Sequence, residues 1–173
     1  MRFRIVNCPD KAFKPYVKGA AKFYADHLIP DCPLKNKAHV NIVFSDKIEH
    51  QGFCSVAEFD RKCQPVKFLI EIYPGQGAKK ILATLAHEMV HVKQFILNET
   101  DSDLTHWRGV KVHSTHDYWT APWELDAYGR EIGLLNMYAI ENELWDVFEG
   151  FKDPELSLVI EPIKWIKKRK IKE

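Results

Sequence analysis

Apolar residues recur along the chain with two different periods. FRIVN, residues 3–7, is a short apolar run that reads as a strand. In DKAFKPYVKGAAKFYADHL, residues 10–28, Phe13, Val17, Ala20, Ala21, Tyr24 and Leu28 follow helical spacing, with Pro15 early enough for a first turn. AHVNIVFSD, residues 38–46, alternates like a strand. GFCSVAEFD and PVKFLIEIYPG, residues 52–60 and 65–75, are two further strands joined by a turn over residues 61–65. YPGQG breaks the pattern, and AKKILATLAHEMVHVKQFILNE, residues 78–99, predicts a long helix. Residues 101–121 are polar and mixed, a loop with one short strand or hairpin around residues 107–112. PWELDAYGREIGLLNMYAIENELW, residues 122–145, predicts a second long helix that begins at Pro122. Beyond about residue 149 the periodicity is weak. The expected architecture is α+β, with a mixed, mostly antiparallel sheet and helices packed on one face. Residues 1–148 are expected to form one domain and residues 149–173 a C-terminal extension with a basic end.

Composition narrows the function classes. The 173 residues suffice for one domain with a real core. Lys and Arg number 25 against 24 Asp and Glu, so no global charge drives binding to nucleic acid or membrane. No signal-peptide run opens the sequence and no stretch is apolar enough to span a bilayer. Cys8, Cys32, Cys54 and Cys63 form no CxxC pair and read as reduced thiols of a cytoplasmic protein. The ending KWIKKRKIKE is basic enough to hold nucleic acid, and equally reads as a solvated terminus. Eight histidines are many for this length and direct attention to metals.

Two of them stand in the first long helix as His-Glu-x-x-His, in ATLAHEMVHVKQF. Ile81, Leu85, Met89, Val92 and Ile96 form one apolar stripe of that helix. His87 and His91 fall on nearly the opposite side, about 40° apart and about 6 Å along the axis. Imidazoles so placed can converge on one ion at about 2.0–2.1 Å. Glu88 lies to one side of the pair, where it would reach a zinc-bound water and not the zinc. Zinc lowers the pKa of such a water to around 7, and a carboxylate can take its proton and pass it to a leaving amine.

A catalytic zinc takes three protein ligands and keeps an open position. Gln94 and Leu97 stand where some metallopeptidases carry a glycine and a third histidine. That leaves His106, His113, His116 and Glu124. Glu124 has the best setting, at the start of the second helix and on a face shared with Ala127, Tyr128, Glu131 and Leu135. The small Ala127 lets two helices approach closely. His106 is the rival third ligand. His113, His116, Tyr118 and Tyr128 are offered as donors to an oxyanion near the metal.

HEMVHVKQF, then WRG, then DYWTAPWELDAYGRE resemble the small zincin-like metallopeptidases of phages and bacteria grouped as SprT-like. The resemblance spans roughly residues 80–132. It implies a zincin fold, in which the sheet packs on the active-site helix and an edge strand receives extended peptide. It implies His87, His91 and Glu124 as Zn2+ ligands and Glu88 as general base and acid, as in gluzincins. Tyr128 stands where many gluzincins carry a supporting aspartate, and Asp126 is turned to another face. The expected function is therefore a zinc-dependent peptidase acting on peptide or protein. The competing readings are a catalytically inactive interaction module of the same fold and a nucleic-acid-associated factor with a structural metal.

Overall fold

The computed structural model describes residues 1–112 and 118–150. β1 (Arg2–Val6) leads through α1 (Lys14–Leu28) and a short α2 (Pro33–Lys37) to β2 (His39–Phe44). β3 (Gly52–Phe59) and β4 (Pro65–Ile72) follow, then the long α3 (Ala78–Ile96). A small hairpin, β5 (His106–Trp107) and β6 (Val110–Lys111), turns at Arg108 and Gly109, whose φ values of 49° and 81° suit a two-residue type I′ turn. A 3-10 turn (Tyr118–Thr120), α4 (Pro122–Glu141) and α5 (Trp145–Gly150) complete the described chain. Apart from the end of α5, the extension expected from residue 149 and its basic ending lie outside the described residues.

The sheet has the order β1-β2-β4-β3. It is mixed, but not mostly antiparallel as the strand pattern suggested. β1 pairs parallel with β2, and β2 parallel with β4; only β3 and β4 are antiparallel. Connection length explains this. Only β3 and β4 are joined by a tight turn, while α1 carries the chain back across the sheet before β2 begins, which makes the first pair parallel. β3 is laid down on the outside and β4 returns between it and β2. One edge of the sheet is therefore β3, bulged between Val56 and Phe59.

The core lies between this sheet and its helices. Ile5, Val40, Ile42, Phe44, Phe68, Ile70 and Ile72 point into it, while alternate positions such as Arg2, Arg4 and His39 remain exposed. Every residue of α3 from Ile81 to Ile96 is buried. The stripe of Ile81, Leu85, Met89, Val92 and Ile96 faces the core as expected, but the opposite side is not a water-facing surface. It packs against α4, where Ala127 is fully buried. α4 stops at Glu141, four residues before the expected end. Glu143 turns with φ of 53°, and the Leu144 N–H bonds the Ala139 carbonyl at 3.0 Å, the closure of a Schellman motif. Among the described residues no helix is long and apolar enough to cross a membrane.

Candidate metal centre

The packing of α3 on α4 brings His87, His91 and Glu124 together, all buried. His87 Nε2 lies 3.1 Å from Glu124 Oε2 and 3.2 Å from His91 Nε2. His91 Nε2 lies 3.5 Å from Glu124 Oε1. Ligands at about 2.0–2.1 Å around a tetrahedral ion stand roughly 3.3–3.4 Å apart. The three edges match that spacing, so one ion fits between the three atoms without rearrangement of the helices. Among the described residues this is the one group of three or more His, Cys, Asp or Glu able to hold a metal.

Each imidazole is held by its other nitrogen. His87 Nδ1 bonds Glu131 Oε2 at 3.1 Å, and His91 Nδ1 bonds Gln94 Oε1 at 2.9 Å. With the proton on Nδ1, each ring donates outward and leaves the Nε2 lone pair for the ion. Gln94 is fixed in turn, because its amide donates to the Trp123 carbonyl at 2.9 Å and to Asp126 at 3.3 Å. Asp126 also takes Arg130 at 2.8 Å and the buried Lys93 at 3.2 Å, and Lys93 bonds Glu99 as well. Burial alone would raise the Asp126 pKa; Arg130, Gln94 and Lys93 outweigh it and hold the carboxyl below its ordinary value. The charge at position 93, unusual on such a helix, is thus a strut between α3 and α4. Glu131→Gln is expected to weaken metal affinity about ten- to a hundredfold while the metal-to-protein ratio at saturation stays at one, as competition with a chromophoric chelator would show.

Electrostatics single out the acidic partner of the site. Burial raises the pKa of Glu88 to about 7, with His91 and His87 opposing the rise and Glu124 and Glu131 adding to it. Burial works against charge on His87 and His91, yet the surrounding carboxylates outweigh it and lift both. Glu124 is the reverse: burial would raise it, but hydrogen bonds with His87 and His91 hold it at about 2. Glu124 is therefore held ionised, the form in which a carboxylate could hold a metal.

A cleft of about 830 Å³ runs over this cluster. Gly52, Phe53 and Cys54 of β3 line it, as do Tyr118, Trp119 and Tyr128. The Tyr128 ring packs on His87 with centroids 4.5 Å apart. Burial raises the Tyr118 pKa, and its interaction with Glu124 raises it further, so the phenol keeps its proton. Both tyrosines proposed as oxyanion donors are thus beside the cluster. His113 and His116 lie outside the described residues. His106 is not brought to the cluster: it is half exposed on the β5 hairpin, with Nδ1 on Asp101 at 3.1 Å. A larger groove, about 1030 Å³, opens elsewhere between β1, α1 and α2.

Sequence reasoning gave no role to the two orienting partners. Glu131 was visible on the Glu124 face, two turns on, and Gln94 lies one turn after His91; helix spacing alone could have named both. No protein-family model matches the chain, and no curated protein or solved structure matches it either.

Proposed function

We propose that the chain is a zinc-dependent peptidase. The observation that carries this reading is the conjunction at one point of the cleft: three buried ligand atoms at tetrahedral spacing, with the carboxyl of Glu88 beside them. Two histidines and a glutamate suit zinc, which when bound polarises a carbonyl and lowers the pKa of a water. Glu88, its carboxyl beside the three ligand atoms, takes up a proton as water adds to the carbonyl and returns it to the departing nitrogen. The Tyr118 phenol donates to the oxygen on which negative charge gathers. β3 is a sheet edge, and its start lines the cleft, so an extended peptide can bond its free backbone groups. The rim aromatics Phe53, Tyr118 and Trp119 are each about half exposed and offer contact to the side chains of that peptide.

The test is direct. The protein loaded with one equivalent of Zn2+ is incubated with a broad peptide library and the products are read by mass spectrometry. Cleavage should appear, vanish with a chelator and return with added zinc. A zinc-loaded protein that leaves the whole library intact would sink the proposal.

A further inference from the structure

Gly52 opens β3 opposite Ile72 of β4, and its backbone is ordinary strand. Among the described glycines only Gly109 has a positive φ, so no conformational demand explains a glycine at position 52. Glycine within a strand costs stability, because it loses more freedom on folding and packs nothing. Its surroundings supply a reason. A Cβ built on Gly52 would stand 2.6 Å from Glu88 Oε1, 3.1 Å from Glu88 Cδ and 2.5 Å from Thr84 Cγ2. Carbon atoms in contact need about 3.5 Å or more.

The strand cannot simply retreat. The Gln76 amide donates to the Gln51 carbonyl at 2.8 Å and to the Tyr73 carbonyl at 2.9 Å, and its own oxygen accepts from Thr84 Oγ1 at 3.0 Å. The start of β3 is thereby tied to α3 one turn before Glu88. The Glu88 carboxyl is buried, so it has little room to move aside. With the strand tied down, the flexible end of Glu88 is what must yield to a side chain at 52.

We infer that Gly52 is the positioning residue for Glu88, holding its carboxyl beside the His87–His91–Glu124 group by leaving the space that the carboxyl occupies. This deepens the peptidase reading, since the role of Glu88 in turnover rests on it. The geometric part stands without any turnover.

Gly52→Ala is best studied with Thr84→Ser, which removes the methyl that would also clash. That protein should still bind one metal, with affinity reduced less than the tenfold or more that loss of an orienting partner costs. The visible spectrum of its Co2+ form should move toward that of Glu88→Ala. Adding Glu88→Asp, one methylene shorter, should bring the spectrum back toward wild type. Thermal midpoints give an independent reading: Gly52→Ala should lower the midpoint with Glu88 present and much less in a Glu88→Ala background. An unchanged Co2+ spectrum, an equal loss in both backgrounds, or failure to fold even with Glu88 and the Thr84 methyl removed would each overturn the inference. Should the spectrum and the coupling behave as expected while no library peptide is cut, the peptidase reading falls and the role of Gly52 stands.

Discussion

Replacing Glu124 with alanine is expected to abolish tight metal binding, while replacing His106 leaves it at the wild-type level. The loss should exceed the roughly hundredfold upper range for removal of a mere orienting partner, because one of three ligand atoms disappears. Glu124 is 2% exposed, so no water-facing group substitutes for its carboxylate. The vacated space also leaves His87 and His91 facing each other 3.2 Å apart with the one carboxylate that lies beside both Nε2 atoms removed. A cation then meets two imidazoles and one fewer negative charge in a poorly solvated site, where charge matters most. His106 has its own carboxylate partner, Asp101, on the exposed hairpin, and its removal should leave the cluster untouched. Zinc titration against a competing chelator separates the cases. Loss of tight binding only in the His106 variant would mean that the hairpin folds over the site and that the α3–α4 pairing is not the metal centre.

The legible parts of this molecule were those that a single element determines. The period of α3 showed which of its sides carries the apolar stripe, and Pro122 marked the first turn of α4. Glu124 was readable as a candidate because it opens a helix whose small Ala127, one turn on, lets a second helix approach closely. What depends on how elements meet was not readable. The parallel pairings of β2 follow from where the chain crosses the sheet, which no strand records in its own sequence. Gln94 supports His91 from within the same helix, whereas Glu131 reaches His87 only through the crossing of two helices. At position 128 Tyr128 packs its ring on His87, and Glu131, about one turn on, takes the hydrogen bond. Lys93, out of character on a buried helix, makes sense only once Asp126 and Glu99 are seen around its ammonium group. Gly52 is a similar case, unremarkable in sequence and tightly walled in space.

Glu88→Gln should keep the metal and lose turnover by about 10²- to 10⁴-fold, the usual worth of a positioned acid–base group. The amide keeps the size of the side chain, and Glu88 is not among the three grouped ligands, so zinc stoichiometry should remain at one. Stability should move the other way. Burial raises the carboxyl from its ordinary 4.5 to about 7, so the folded chain holds that proton more tightly than the unfolded chain does. In the metal-free protein the raised pKa therefore makes folding progressively less favourable as pH climbs from about 4.5 to about 7, with no further change above. Glutamine cannot ionise and removes that loss. The metal-free variant should thus unfold at an equal or higher temperature than wild type at pH 8, with the difference vanishing near pH 4. A gain in stability beside a loss of turnover is the pattern of a residue retained for chemistry at a structural cost. Loss of zinc together with turnover would instead make Glu88 a ligand. If the wild type holds zinc and cuts nothing, the variant has no turnover to lose, and a metal-bearing interaction module becomes the better account of the same cleft.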